Sequence, residues 1–354
     1  MERRQLLVGG LVGIAASGVA TSASAQSEAL DGMRPFPRST GKRCRVIIIN
    51  DLAGDVDGLF ATVHALLSPT TDIRGIIGAG TGAAAISANE TARHAAARAT
   101  EIVKLMNKAD QVRVFEGAPH PLTDAATPVP NAGTQAIIDE ALRSDTDLPL
   151  YVTVGCGLTE VASALMIEPR IAGRFTLVWI GGQPLANARP IPPGPMGGEY
   201  NFSIDRTAAQ VVYNHPAMRM WQVPNAAYGA CMVSIDEIQA RVAPHGQIGR
   251  WLWDRLCEAQ RTLGARSLIG ETYTLGDSPL VLLTALTAWV PSSIKPLAWE
   301  STGSSRFTET PAPHLNSDGT YTAQSNSRLI RVYDSIDTRL LFEDFFSKMK
   351  SWQR

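Results

Sequence analysis

A short apolar segment followed directly by an acidic loop constrains the fold of this chain more than any other feature. Residues 45–49 read Arg-Val-Ile-Ile-Ile, which is mostly β-branched and typical of a buried strand in a parallel sheet. From residue 59 onward the apolar residues recur at helical spacing. The pattern predicts a strand, a loop and a helix, with the loop at the carboxyl end of the strand, where open α/β sheets bind ligands.

The loop itself is crowded with oxygen-bearing side chains. Asn50, Asp51, Asp55 and Asp57 lie within it, and Gly54 allows a sharp turn. Carboxylates this close repel one another, so they need a cation, a proton or wide exposure to water. Hard cations such as calcium bind about six to eight oxygens of this kind. The alternative is a helix N-cap followed by a solvated turn, because Asp is favoured in both roles.

The N-terminus, residues 1–25, has the features of an export signal. Arg3 and Arg4 precede a weakly hydrophobic, Gly/Ala-rich run and an Ala-Ser-Ala cleavage site, which together predict a twin-arginine signal peptide. A transmembrane anchor fits less well because the run is short and rich in Gly and Ala. We therefore expect a periplasmic or secreted protein that begins near Gln26 and is free of the membrane after cleavage.

The remainder, residues 26–354, is long enough for one large α/β domain or two small ones, and we expect one. The net charge of −1 and a charged fraction of 18% give no sign of a polyanionic partner such as a nucleic acid polymer. Cys44, Cys156, Cys231 and Cys257 lie in or beside apolar segments without metal-site spacing. We expect them to be core residues, although an oxidising compartment would permit pairing.

Strand and helix patterns alternate along the chain, which predicts an α/β fold with a mostly parallel central sheet and helices on both faces. Further strands are expected at residues 73–79, 112–115, 148–154, 175–180 and 329–333, and helices at residues 88–107, 131–143, 158–166, 280–289 and 338–350. Residues 184–198, rich in Pro and Gly, predict an active-site loop, and the polar residues 302–327 predict an exposed segment.

Other strand ends also offer ligand groups. Gly155 follows residues 148–154, where bare backbone carbonyls could face a ligand, and Glu199 and Asn201 follow the Pro/Gly-rich loop. Asp277 precedes an apolar helix. Each side chain also has a structural alternative, since Glu199 and Asn201 could cap the helix after Asp205 and Asp277 could be a helix N-cap.

These segments, taken in order, resemble the nucleoside hydrolase family. Residues 51–58 match the family's N-terminal motif of Asp, Gly and an Asp pair, and residues 155–160 match its Gly-x-Leu-Thr-Asn helix start. Residues 170–182 match the strand that follows. Residues 199–209 match its Glu-Phe-Asn segment with a later Asp and paired alanines, and residues 276–279 match its closing His-Asp-Pro. The matches keep the family's order from about residue 44 to 290.

The resemblance implies a calcium-dependent N-glycosidase that cleaves the N-ribosidic bond of nucleosides. Asp51 would be a calcium ligand and the general base for the attacking water. Asp277 would be a second calcium ligand, and a main-chain carbonyl at Val154 or Gly155 a third. Asp57 would bind the metal or the ribose hydroxyls.

The resemblance also implies that Glu199, Asn201 and Asp277 hold the ribose. The partner would then be a small nucleoside-like molecule, with the base undefined and a homo-oligomer left open. Such hydrolysis passes through an oxocarbenium-like state, which suits a site with a positioned water and anionic groups around the sugar.

The chain departs from the family pattern at three places. Gly58 stands where the family has the second Asp of its pair, and Gly276 stands where many members have a His that assists the leaving base. Residues 80–85 lack the Asn expected after the second strand. We expect a calcium site with one fewer charged oxygen, unless Asp55 folds inward to replace it. The alternative function is a nucleoside- or sugar-binding protein of the same fold that has lost catalysis.

Overall fold

A computed structural model describes residues 41–85, 87–185, 198–263, 270–289 and 300–352. Residues 41–354 form one compact unit. The predicted signal peptide, and most of the predicted loop at residues 184–198, lie outside the described residues.

The described elements alternate as the sequence predicts. The strands are β1 (Cys44–Asn50), β2 (Thr71–Gly78), β3 (Val114–Glu116), β4 (Leu150–Val154), β5 (Thr176–Ile180), β6 (Arg219–Val223), β7 (Met232–Ser234), β8 (Thr272–Thr274), β9 (Ala288–Trp289), β10 (Glu300–Ser301), β11 (Arg306–Pro311), β12 (His314–Leu315), β13 (Tyr321–Thr322) and β14 (Leu329–Ser335). The helices are α1 (Asp57–Leu66), α2 (Ala92–Leu105), α3 (Ala132–Leu142), α4 (Thr159–Ile167), α5 (Tyr200–Ile204), α6 (Arg206–Tyr213), α7 (Asn225–Tyr228), α8 (Ile235–Arg241), α9 (Gly246–Leu263), α10 (Pro279–Ala285) and α11 (Thr338–Ser351).

The central sheet confirms the predicted fold class. Among the described residues it has eight strands in the order β11-β14-β6-β5-β4-β1-β2-β3. Every neighbouring pair is parallel except β11 and β14. The chain moves outward from β1 to β2 and β3, then returns to the other side of β1 with β4, β5 and β6. The strand order therefore reverses between β1 and β4, which is the kind of switch point where open α/β sheets bind ligands.

Strand β1 lies in the middle of the sheet and is buried along its whole length. Its side chains alternate between the two faces because successive residues of a strand point in opposite directions. Ile47 and Ile49 pack into the core on one face, with helices α3, α4 and α6. Val46 and Ile48 pack into the core on the other, with helices α1, α2 and α11. Burial on both faces explains why the strand carries an almost continuous apolar run.

Several elements differ from the sequence-based prediction, which did not include helix α9, for example. Strand β6 was not predicted, because Arg219 and Gln222 break its apolar pattern. The helix expected at residues 280–289 ends at Ala285, and residues 288–289 form a strand instead. The polar segment 302–327 is largely exposed, as expected, but it also supplies β11 at the edge of the main sheet.

Two general expectations can be compared with the described residues. Cys44, Cys156 and Cys231 are buried, Cys257 is half-buried, and none of the four is bonded to another. Over the described ranges, no helix combines the length and apolar character needed to cross a bilayer.

Candidate active site

The candidate site lies where β1 and β4 end side by side. Ile49 is in register with Val154, and the Gly155 N–H donates to the Ile49 carbonyl at 3.0 Å. Asn50 and Asp51 therefore leave the sheet at the same edge as Gly155. This edge is the carboxyl end of both strands at the reversal of strand order, as the sequence predicted for the acidic loop.

Asp277 is brought to this edge from more than two hundred residues away along the chain. Asn50 Nδ2 donates to Asp277 Oδ2 at 2.7 Å, and Asp277 is only 2% exposed. A Cβ at Gly155 would lie 2.4 Å from Asp277 Oδ2. The absence of a side chain at Gly155 is thus what lets the Asp277 carboxylate approach the end of β4 so closely. Asp277 does not cap helix α10 with its side chain.

Asp57 joins the same group from the first turn of helix α1. Its Oδ2 accepts from the Asp277 N–H at 3.1 Å, and its Oδ1 accepts from the Gly58 N–H at 2.8 Å. The structure therefore brings Asp51, Asp57, Gly155 and Asp277 together, which are four of the residues predicted to bind metal.

The crowding of acidic groups changes their acidity. Burial, with the nearby Asp277 and Asp55 carboxylates, raises the pKa of Asp51 well above its usual range. Burial, with the charges of Asp277 and Asp55, does the same to the pKa of Asp57. Burial raises the pKa of Asp277 to about 8, although the Asn50 hydrogen bond opposes it. The ionised forms are disfavoured unless a cation is near.

Two acceptor atoms at this edge have no hydrogen-bond partner among the described residues. They are Asp51 Oδ2 and Asn50 Oδ1, and both residues are almost fully buried, with 3% and 1% exposure. Buried polar atoms are normally satisfied, so an unpaired carboxylate and an unpaired amide oxygen need an explanation. Both are oxygen types that calcium binds. Within the described ranges, no three His, Cys, Asp or Glu residues are grouped closely enough to hold a metal.

Asp55 differs from this group in its exposure and hydrogen bonding. It is exposed, and its Oδ1 accepts from the Val56 N–H at 2.6 Å and from the Tyr273 hydroxyl. Its carboxylate is therefore solvated and already hydrogen-bonded, although its charge contributes to the raised pKa values of Asp51 and Asp57. Asp55 thus behaves as the alternative interpretation of the acidic loop, a solvated turn, would predict.

Glu199 is buried, but its carboxylate is occupied by the protein. Oε1 accepts from the Asn201 N–H at 3.0 Å and the Tyr228 hydroxyl at 2.8 Å. Oε2 accepts from the Gly182 N–H at 2.7 Å and the Phe202 N–H at 2.9 Å. A carboxylate has about four acceptor positions, and all four are filled. Glu199 thus caps helix α5, not the helix after Asp205 that the capping alternative named.

Asn201 and Asp205 fix the neighbouring backbone. Asn201 Nδ2 donates to the Ile180 carbonyl at the end of β5, at 2.8 Å. Asp205 caps helix α6 by accepting from the Ala208 N–H at 2.9 Å. These bonds hold the segment after the Pro/Gly-rich loop against the sheet edge.

Tyr228 is a site residue that the sequence did not reveal. Besides holding Glu199, its ring lies where a side chain at Gly276 would go, because a Cβ there would be 3.1 Å from Tyr228 Cδ2. The same Cβ would be 3.2 Å from Asp57 Oδ2. Tyr228 ends a four-residue helix after Pro224, and no spacing in the sequence connects it with Glu199 or Gly276. Only the folded chain brings them into contact.

Comparison with known proteins identifies the family. The family model described as inosine-uridine preferring nucleoside hydrolase matches residues 46–294, well over half of the chain. The chain belongs to this family.

Solved nucleoside hydrolases share the fold. A purine-preferring ribonucleoside hydrolase from Gardnerella vaginalis is 17% identical with a TM-score of 0.62, and the match covers 87% of this chain and 99% of that one. An inosine-guanosine nucleoside hydrolase is also 17% identical, with a TM-score of 0.63 and the same coverage. An inosine-uridine preferring nucleoside hydrolase from Bacillus anthracis is 15% identical, with a TM-score of 0.59 and again the same coverage. At these identities the likeness is one of fold. Comparison with curated proteins found no match.

Family membership bears on the reaction and the ligand of this protein. Nucleoside hydrolase membership and fold support hydrolysis of ribonucleosides, with a small nucleoside as the ligand.

Proposed function

We propose that this nucleoside hydrolase family member cleaves the N-glycosidic bond of a ribonucleoside, or of a related ribosylated compound, with Asp51 as the general base for the attacking water. The observation that carries the proposal is the position of Asp51, which is buried at the switch point with one carboxylate oxygen unpaired. A general base must lie within hydrogen-bond reach of the water that it deprotonates, and an unpaired oxygen is free to do so.

We further propose calcium as the cofactor, held by the carboxylates of Asp51, Asp57 and Asp277 and the main-chain carbonyl of Gly155. Unpaired acceptors and raised carboxylate pKa values at this edge support a cation there. When bound, calcium orients a water molecule and lowers its pKa. Asp55 is outside the proposed ligand set because it is exposed and held by Tyr273.

The residues of the chain have distinct roles in this scheme. Asp51 in its ionised form takes the proton of the water, and the ring carbon of the sugar bears positive charge as the base departs. The anionic surroundings created by Asp57 and Asp277 stabilise that charge. Glu199 has no acceptor position left, so we assign it to positioning Asn201 and the segment at residues 199–204.

Leaving-group departure depends on the Gly276 position. Gly276 offers no proton donor, and Tyr228, whose ring lies beside it, donates its hydroxyl to Glu199. General acid catalysis usually contributes about 10²–10⁴-fold, so substrates whose leaving group needs a proton are at a disadvantage here. We expect a nitrophenyl riboside, whose leaving group departs as a stable anion, to react faster than a purine nucleoside.

The test is release of free ribose by the purified protein from a panel of purine and pyrimidine nucleosides and a nitrophenyl riboside, with added calcium or with a chelator. The proposal predicts calcium-dependent release from at least one of them. Release that is equal in chelator would remove calcium from the proposal while leaving the hydrolase. Binding of nucleosides without release of ribose from any substrate would favour the alternative, a binding protein, for which Gly276 is the supporting observation.

A further inference from the structure

The space beside Gly58 is already filled in this protein. Gly58 lies in the first turn of helix α1, and a Cβ built there would be 2.3 Å from Asn50 Oδ1 and 2.7 Å from Asn50 Cγ. Contacts under about 3 Å do not occur for a real Cβ, so residue 58 cannot carry a side chain while Asn50 holds its present position. Asn50 and Gly58 are therefore complementary: the side chain of one occupies the room left by the other.

The orientation of the Asn50 amide is fixed by a single bond. Nδ2 donates to Asp277 Oδ2 at 2.7 Å, which directs Oδ1 toward the Gly58 side of the loop. That oxygen has no partner among the described residues, and Asn50 is 1% exposed. An unsatisfied buried acceptor costs about 1–3 kcal/mol, a cost that evolution usually avoids by pairing the atom or by hydrating it.

Calcium would resolve this imbalance, because its oxygen ligands include side-chain amides as well as carboxylates. Asp51 follows Asn50 directly and has an unpaired Oδ2 of its own, while Asp277 contacts the other end of the Asn50 amide. The unpaired amide oxygen thus lies among the carboxylates that the proposed function assigns to calcium. Asp55, which could have replaced the oxygen missing at position 58, is exposed and accepts a hydrogen bond from Tyr273.

We propose that Asn50 Oδ1 is a calcium ligand, supplying from the end of β1 the oxygen that residue 58 does not supply from helix α1. This inference rests on the calcium site of the proposed function. It also predicts that Gly58→Asp alone does not tighten calcium binding, because the new side chain and Asn50 compete for one space. Tightening requires that Asn50 be shortened at the same time.

Affinity alone cannot separate a ligand from a residue that only orients Asp277, since loss of either kind commonly weakens metal binding about 10–100-fold. The number of metal-bound waters does separate them. Europium, which replaces calcium at oxygen sites, reports its coordinated waters through the luminescence lifetimes in H₂O and D₂O. A lost protein ligand is replaced by water, whereas a lost orienting bond leaves the count unchanged.

The experiment compares the wild-type protein with Asn50→Ala, Gly58→Asp, the double variant Asn50→Ala with Gly58→Asp, and the matched control Asp55→Ala. The proposal predicts about one additional bound water in Asn50→Ala, a return to the wild-type count in the double variant, and no change in Asp55→Ala. Calcium titration by calorimetry should show about tenfold or greater weakening in Asn50→Ala and recovery in the double variant. Thermal unfolding of the metal-free proteins should show Gly58→Asp less stable alone than in combination with Asn50→Ala.

The outcomes distinguish the ligand role of Asn50 from the existence of the calcium site. An unchanged water count in Asn50→Ala, with calcium still bound by the wild type, would overturn the ligand role of Asn50 and leave the calcium site intact. Failure of the wild type to bind either ion would overturn the calcium part of the proposed function and this inference with it. Ribose release, measured separately, would then decide whether hydrolysis proceeds without the metal.

Discussion

Two tyrosine hydroxyls, one inside the site and one outside it, donate to carboxylates that differ in exposure. Tyr228 donates to Glu199, which is buried and caps the helix beside the predicted ribose pocket. Tyr273 donates to Asp55, which is exposed. The pair allows the loss of a hydroxyl inside the site to be compared with the same loss outside it.

We predict that Tyr228→Phe raises KM several-fold and changes kcat little, because the three backbone N–H groups still hold Glu199 while its orientation loosens. Tyr273→Phe should leave both parameters within twofold of wild type. Steady-state kinetics on the best substrate of the panel measures the difference. Equal effects of the two substitutions would contradict a role for Tyr228 in positioning Glu199.

Several site residues were predictable because their surroundings in sequence are distinctive. Asp51 and Asp57 follow a largely apolar strand, and Gly155 follows another, so the switch point could be predicted from local pattern. Asn50 was noted as part of the acidic loop, but its complementarity with Gly58 depends on side-chain positions across two elements. Tyr228 lies in an unremarkable segment and becomes a site residue only through long-range contacts.

At the scale of the elements, strand β1 is anchored at its start by a buried ion pair. Arg45 donates to Glu140 Oε1 at 2.7 Å and to the Glu140 carbonyl at 2.8 Å, and both residues are almost fully buried. The pair joins the central strand to helix α3. Removing one partner of such a pair leaves an uncompensated buried charge. The free-energy cost of that charge exceeds the stabilisation that the intact pair provides.

We predict that Glu140→Ala lowers the free energy of unfolding by about 3–5 kcal/mol. Glu140→Gln should cost less, since the amide oxygen can still accept from Arg45. Glu101→Ala, which removes a half-exposed partner of Arg98 on helix α2, is the control and should cost less than about 1 kcal/mol. Chemical denaturation measures all three, and a Glu140→Ala cost similar to that of Glu101→Ala would contradict the anchoring role.

Element prediction from the sequence succeeded where the pattern was strong and failed where contacts override it. The apolar strands β1, β4 and β5 were found within two residues of their observed bounds. Strand β6 was missed because its polar residues are accommodated between β5 and β14, a context invisible in the sequence. The helix predicted at residues 280–289 continues only to Ala285, because the apolar run is shared between a helix and a strand.

At the scale of the whole molecule, buried acidic groups link stability to pH. Glu160, in the first turn of helix α4, accepts from the Ala118 N–H at 2.9 Å. Burial raises its pKa from 4.5 to about 7. The native state therefore holds this proton more tightly than the unfolded chain does, so the stabilisation is complete below about pH 4.5 and is lost as pH rises through about 7.

We predict that replacing Glu160 by Gln removes this contribution. Between pH 5 and pH 8 the wild type should lose more stability than the variant, with a difference approaching about 3 kcal/mol. Denaturation across this range, in chelator so that metal binding does not contribute, gives the comparison. Other buried carboxylates with raised pKa values titrate in both proteins, so their contributions cancel in the comparison. A parallel pH dependence of the two proteins would therefore contradict the role of Glu160.

Export of the molecule remains a proposal that the N-terminal sequence alone supports. We predict that changing Arg3 and Arg4 together to Lys retains the precursor in the cytoplasm, because the twin-arginine pathway recognises that pair. Cell fractionation with detection of the cleaved form measures the result. Processing and export of the Lys-Lys precursor at the wild-type rate would assign residues 1–25 to another class of signal.

The most direct measurement of the central claim is ribose release by Asp51→Asn beside Asp55→Asn, both at saturating calcium and with the best substrate of the panel. The two residues lie in one loop, but Asp51 is buried with an unpaired oxygen and Asp55 is exposed. Loss of a general base should lower kcat by about 10²–10⁴-fold in Asp51→Asn, with circular dichroism unchanged, and Asp55→Asn should stay close to wild type. If Asp51→Asn kept more than about a tenth of the wild-type kcat, Asp51 would not be the base.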